Sequence, residues 1–295
     1  MSGEKRLKNG GGFMSDVVKY NFTYDMVFKS SLSNHPKSVI RLIKEFVPDL
    51  KDIDINEQVV FLDKENITGL DIQGTIFDVN VQIASNLVEL EMQKKKRKYV
   101  MQNRMLKYFV DIVNNSFEKG GTYNHQACYS LWFLGFELFK DDEAFHSFEL
   151  YDKDTNQRLV DDAKIITVEF VKFKEKDYND NRWYKIFVTS DLSLLKGDDP
   201  IMNELVDEIK NLNNDKEFVL RIDARERALR EQNAMLEAAE EKGLQQGIEK
   251  GIEQGIEQGK ISEKIDIAKN AKSIGLSCEQ IIKLTGLSKE EIESL

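Results

Sequence analysis

The chain is short of the residues that staple small folds or hold soft metals. Its 295 residues include only two cysteines, Cys128 and Cys278, and three histidines, His35, His125 and His146. The two cysteines fall in what read as separate domains, so no disulfide framework is expected and a reducing cytoplasm fits. The histidines stand at no metal-ligand spacing and read as ordinary surface or core residues. No apolar run approaches the ~18 residues of a membrane span, so no membrane partner is expected. Positive charge is also in deficit: 42 Lys and Arg stand against 52 Asp and Glu, a net of −10. Proteins that hold nucleic acid by charge alone are usually basic. Any such site here must be a local basic patch on an acidic body. Residues 1–12 are basic and Gly-rich with no apolar core, so no secretory signal is expected there. Met14 is the expected true start, and residues 1–14 are expected to be a disordered extension.

What the chain has is apolar content of 41%, enough for a core, and one segment of unusual pattern, residues 76–98. Phe77, Val79, Val81 and Ile83 alternate with Asp78, Asn80 and Gln82. After Ala84-Ser85-Asn86 a second run alternates, with Val88, Leu90 and Met92 on one face and Leu87, Glu89, Glu91 and Gln93 on the other. Two alternating runs split by a short polar turn predict a β-hairpin. A two-residue turn at Ser85-Asn86 would set Gln82 opposite Glu89, Asn80 opposite Glu91 and Asp78 opposite Gln93. Asp78 and Glu91 are then diagonal neighbours, and like charges at that range destabilise a sheet. A divalent cation between them reverses the sign. Hard cations such as Mg²⁺ take carboxylate oxygens and phosphate oxygens of a substrate. Lys94-Lys95-Lys96-Arg97-Lys98 follows directly. Acids for a metal followed by bases for phosphates is the layout of a metal-dependent phosphodiesterase.

Asp78, then Glu91-Met92-Gln93, resembles the PD-(D/E)XK nuclease signature in its Gln-ending form. The surrounding chain resembles the recombination-promoting nuclease and transposase family of bacteria. Tyr24-Asp25-Met26-Val27-Phe28-Lys29, Phe77-Asp78-Val79, Glu91-Met92-Gln93, Arg104 with Tyr108, and Gly120-Gly121-Thr122-Tyr123 fall in that family's order. The Gly-Ile-Glu repeats and Thr285-Gly286-Leu287-Ser288 match its tail, so the resemblance covers roughly residues 15–295. It implies an α/β fold, a restriction-endonuclease-like mixed sheet flanked by helices and followed by a helical tail. It implies a metal-dependent DNA endonuclease, with Asp78, Glu91 and Gln93 catalytic and Mg²⁺ or another divalent cation held by Asp78 and Glu91. Asp25, on the helix before the sheet, is the candidate further acid. Arg104 follows the hairpin on a helix and is the candidate phosphate ligand, because guanidinium matches phosphate bidentately; a surface pairing with Asp111 or another acid weighs equally. Gln93 stands where many members of the wider superfamily carry Lys, and it can orient water but adds no charge. Lys94, Lys95 and Arg97 complete the expected DNA-binding set, Lys95 being better placed than Lys94 to supply the missing charge.

The remaining chain is read from period and punctuation. Residues 22–46 predict helix with a restart at Asn34-His35-Pro36, and residues 53–62 a strand carrying Glu57 at its edge. Asp71 rivals Asp78 but lies ahead of the alternating run. Helix is expected over 97–115, a central strand over 127–138, strands over 146–151 and 165–173 with Glu169 pointing outward, and helices over 180–190 and 200–212. Residues 15–214 therefore read as one nuclease-like domain. Residues 215–260 read as a charged helix and a Gly-repeat stalk or linker: Gly243, Gly247, Gly251, Gly255 and Gly259 recur every four residues with Ile248, Ile252 and Ile256 in step. Five glycines cost a helix about 4–5 kcal/mol against alanine. Residues 261–295 read as a small helical module with capping boxes at Ser277 and Ser288. Its last helix carries Glu290, Glu291 and Glu293, which repel phosphate, so interaction or homo-oligomerisation is expected of it rather than DNA reading. The alternative to an endonuclease is a catalytically weak or inactive protein that binds DNA or a protein partner through this tail.

Overall fold

A computed structural model of the protein describes residues 16–62, 79–95, 101–118 and 123–295. Asp78, Asp71, Arg97, the extension 1–14 and the Gly120-Gly121 break lie outside the described residues. The chain divides between Ile222 and Asp223 into two compact units.

The first unit is built on a mixed sheet of β1 (Val59–Phe61), β2 (Val79–Ile83), β3 (Asn86–Gln93), β4 (Ala127–Leu134), β5 (Phe145–Phe148) and β6 (Ala163–Glu169), in the order β1-β2-β3-β4-β6-β5. The hairpin β2–β3 is antiparallel, β3–β4 and β4–β6 are parallel, and β5 closes the far edge antiparallel to β6. A parallel neighbour needs a crossover, and α3 (Met101–Ser116) supplies it between β3 and β4.

The hairpin forms where alternation predicts it, but in a different register. Ile83 pairs with Asn86 and Asn80 with Glu89, so the turn is Ala84-Ser85 rather than Ser85-Asn86. Ala84 takes the left-handed backbone (φ +51°), and the Asn86 side-chain amide donates back to the Ile83 carbonyl at 3.1 Å. Asn86 therefore closes the turn instead of forming it. The slip is two residues, an even number, so no side chain changes face.

Each face of the sheet meets a different layer. Val79, Val81, Val88, Leu90, Met92, Leu131, Phe133, Ile166 and Val168 belong to the main core. On that side pack α1 (Asp25–Asn34), α2 (Pro36–Phe46) and α6 (Pro200–Asn214), with α4 (Glu175–Asn179) and α5 (Arg182–Lys185) beside them. The predicted restart is real: His35 is non-helical and Pro36 opens α2, whose Val39, Ile40, Leu42 and Ile43 are wholly buried. Side chains buried so fully contribute about 1.5–3 kcal/mol each. On the other face, Met101 and Met105 of α3 pack on Trp132 and Leu134, while Phe109 and Ile112 pack near Leu87 and Cys128. The expected strands are trimmed at their ends: β1 keeps three residues of 53–62, and β6 gives way to a 3-10 turn at Phe170–Lys172.

In the second unit, α7 (Lys216–Ser273, which begins in the first unit) runs through the glycine repeats without a break. The stalk expected at 215–260 is thus continuous helix. Two short helices follow, α8 (Cys278–Thr285) and α9 (Lys289–Glu293), both opened by the predicted capping boxes. Ala268, Ala271, Ile281, Leu287 and Ile292 form their small core. Among the described residues, no helix is long and apolar enough to cross a membrane.

Candidate active site

The site is assembled on the α3-covered face of the sheet. Because β3 alternates, Glu89, Glu91 and Gln93 all point that way, and the parallel register sets them beside Ser130, Trp132 and Leu134 of β4. All three polar side chains are buried, and Glu91 has no exposed surface at all. A carboxylate taken out of water needs compensation, and Glu91 has it. Gln93 donates its amide to Glu91 Oε1 at 2.6 Å, and Arg104 of α3 donates Nη2 to the same oxygen at 2.7 Å. The guanidinium is itself only 12% exposed.

Arg104 is held from its other side by aromatics. The same Nη2 lies 3.0 Å from the Tyr108 hydroxyl, one helical turn on, and the guanidinium sits 4.9 Å from the Tyr108 ring and 5.8 Å from that of Trp132. Trp132 Nε1 donates to Ser130 Oγ at 2.8 Å, and Ser130 Oγ donates to Glu89 Oε2 at 2.6 Å. The arrangement is a buried polar seam, from Glu89 through Ser130 and Trp132 to Arg104 and Glu91.

Of the sequence candidates, Glu91, Gln93 and Arg104 are thus brought together. Asp78 and Arg97 lie outside the described residues. Asp25 is half-buried in the first turn of α1, where its carboxylate accepts from the Met26 amide. The start of α1 meets the end of β3: the Lys94 ammonium lies 3.4 Å from the Tyr24 ring centroid, a cation–π contact. Lys94 is half-buried and Lys95 exposed. Gly135 permits the close approach at this end of the sheet, since a Cβ there would come within 2.4 Å of the Lys94 carbonyl oxygen. The alternative for Arg104, a surface pairing with Asp111 or another acid, gives way to a buried pairing with Glu91.

The same face carries a third buried acid. Glu169 was expected to alternate outward to solvent; it does change face, but that face is covered and its exposure is 0%. It lies at the level of Gln93, with Leu134 between them. Its carboxylate accepts from the Leu138 amide at 2.8 Å and lies 3.1 Å from the Lys172 ammonium. Lys172 also reaches Asp141, as does His146 Nε2 at 3.1 Å. Burial opposes the charged form of Lys172, but its hydrogen bonds to Glu169 and Asp141 outweigh that and raise its pKa above 10.5. For Asp141 burial acts to raise the pKa, and the Glu143 amide, His146 and Lys172 together bring it below 3.8.

Sequence reasoning assigned no role to Glu89, Ser130 or Trp132. The usable signal was β4 itself, apolar at nearly every position: a strand buried on both faces requires a cover over its neighbour's polar face too.

The oxygen-rich donors at the end of β3 suit a hard cation rather than a soft one. Glu91 supplies one carboxylate. Among the described residues, no group of three or more His, Cys, Asp or Glu side chains is arranged to hold a metal.

A family model described as PD-(D/E)XK nuclease family transposase matches residues 22–239. It spans the whole sheet, the polar seam and the first part of α7. Comparison with curated proteins and with solved structures finds no match.

Proposed function

From the premise that the chain belongs to the PD-(D/E)XK nuclease family of transposases, we propose that it is a metal-dependent DNA endonuclease acting in the cytoplasm in recombination or mobile-element biology. The observation that carries this reading is Glu91, a wholly buried carboxylate near the end of β3, in the segment that resembles the nuclease signature, held by Gln93 and Arg104. Glu91 and Asp78 are the acids that would hold Mg²⁺ or another divalent cation, with Asp25 as a further candidate. Such a cation, when bound, polarises a phosphate and makes a bound water more acidic. Gln93 orients Glu91 through its amide and has no charge to give. Lys94, Lys95, Arg97 and Arg104 are assigned to the DNA backbone, where they neutralise phosphates on an otherwise acidic protein.

The test is incubation of supercoiled plasmid with wild type, Asp78→Ala and Glu91→Ala, in Mg²⁺ and in chelator. Relaxed or linear product only from wild type in Mg²⁺ supports the assignment. Equal cutting in every lane points to a contaminant and removes it.

A second reading is favoured by α7, where Leu244, Ile248, Ile252 and Ile256 are all more than half exposed. An inactive or weakly active protein could serve as a DNA-binding or protein-interaction module, homo-oligomerising through this tail. Its signature is DNA binding without nicking, with self-association lost on deletion of residues 243–295.

A further inference from the structure

A buried carboxylate at a metal-dependent centre poses a problem before the metal arrives: something must compensate its charge. In this protein that something is visible. Arg104 Nη2 lies 2.7 Å from Glu91 Oε1, with the acid fully buried and the base nearly so. The guanidinium does not reach there by chance of a flexible surface chain. It is fixed by the Tyr108 hydroxyl at 3.0 Å and flanked by two aromatic rings, and Trp132 is anchored in turn through Ser130. A positive charge is therefore built into the place on Glu91 where a cation is wanted.

We propose that Arg104 is the resident cation of this site: it neutralises Glu91 in the free protein and competes with the divalent metal for the same carboxylate. The inference rests on the metal-dependent reading above. It follows that a metal charge on this carboxylate weakens its bond to Arg104, which leaves the guanidinium available to a second anion. The nearest such anion in a DNA complex is a backbone phosphate, which a guanidinium holds in the same planar, bidentate manner as a carboxylate. Glu91 and the phosphate would then share one arginine in succession, and metal binding and DNA binding would favour each other, since each removes the competitor of the other.

The competition has a readout independent of cleavage. Mn²⁺ is titrated calorimetrically into the full chain without DNA, for wild type, Arg104→Met, Arg104→Lys and Glu91→Gln. Met keeps most of the apolar stem of the side chain and removes the charge together with its hydrogen-bond donors. The expected result is Mn²⁺ binding about tenfold tighter in Arg104→Met, equivalent to 1.4 kcal/mol, with Arg104→Lys close to wild type. Thermal melts supply the second measure: Arg104→Met melts below wild type in chelator and gains more from Mn²⁺ than wild type does. Unchanged or weaker Mn²⁺ binding in Arg104→Met overturns the resident-cation role, as does an equal gain in melting temperature, while the nuclease reading stands. If Glu91→Gln binds Mn²⁺ as well as wild type, the metal reading itself falls, and this inference falls with it.

Discussion

Two regions of this protein break the rule of apolar inside and charged outside, in opposite directions. On the α3-covered face of the sheet, Glu89, Glu91 and Glu169 are buried. Along α7, residues 230–264 are exposed throughout, Leu244, Ile248, Ile252 and Ile256 among them. Exposed apolar residues are common on proteins, whereas a buried charge is rare and needs partners. The first region answers that demand, with a donor at hydrogen-bond distance from each of the three acids. In the second, a Cβ added at any of the five repeat glycines would meet nothing within 4 Å. Compensation is what separates a built site from a tolerated surface.

The contrast breaks first if the buried acids prove dispensable. Glu91→Ala should lower plasmid cleavage by about 10³-fold, the several kcal/mol expected from losing a metal-binding charge. Nicking assays at matched protein concentration decide it, and a loss under tenfold would leave Glu91 a structural residue. The opposite region should show the opposite sensitivity. Replacing Gly243, Gly247, Gly251, Gly255 and Gly259 together by Ala should favour the helix by about 4–5 kcal/mol in total, because the added methyl groups meet no neighbour. Far-UV circular dichroism should show helicity of α7 persisting to higher temperature, with cleavage unchanged. Lower helicity, or a change of oligomeric state, would mean that the glycines face a close partner rather than water.

Legibility in the sequence follows the same division. Strict alternation placed Glu89, Glu91 and Gln93 on one face, and that survives a hairpin register two residues from the expected one, because a period of two is blind to even slips. The same pattern cannot say what covers the face. Outward reading of Glu169 assumed solvent on the polar side of β6, whereas α3 and the segment around Leu138 occupy it. Arg104 was legible as a helix residue near the hairpin, but its partner was not. Choosing between Asp111 and Glu91 depends on how α3 rotates over the sheet, which Met101, Met105, Phe109 and Ile112 settle by burial. In α7 the propensity argument made the repeat helix marginal on its own. Flanks rich in Ala, Glu, Gln and Lys carry the helix through, and no tertiary contact at the repeats is needed to keep it.

Within the buried face, the hydroxyl of Ser130 tests whether compensation is energetic or merely geometric. Ser130→Ala removes the bond to Glu89 Oε2 and the acceptor for Trp132 Nε1. It should cost about 2 kcal/mol, the range for hydrogen bonds to charged groups. Ser130→Thr keeps the hydroxyl and should recover much of that. Chemical denaturation of the three proteins measures it, and equal stabilities would show the seam to be incidental.

The smallest effect is expected where the cluster opens to water. Asp141 is 46% exposed on its side chain yet joins Lys172 and His146 beside the buried Glu169. Its pKa is held below 3.8 by the Glu143 amide, His146 and Lys172, against a contrary push from burial. A carboxyl depressed in the folded state contributes stability that is present above its unfolded pKa and lost as pH falls through the folded one. Asp141→Asn should therefore melt lower than wild type at neutral pH, by roughly 2 °C for a protein of this size, because solvent screens an exposed pair. The gap should stay constant down to about pH 4 and close below it as the wild-type carboxylate protonates. A gap that widens on acidification would reverse the sign of the linkage. It would mean that Asp141 is tolerated beside Glu169 rather than recruited to it, and the buried face would then owe its order at that edge to Lys172 and the Leu138 amide.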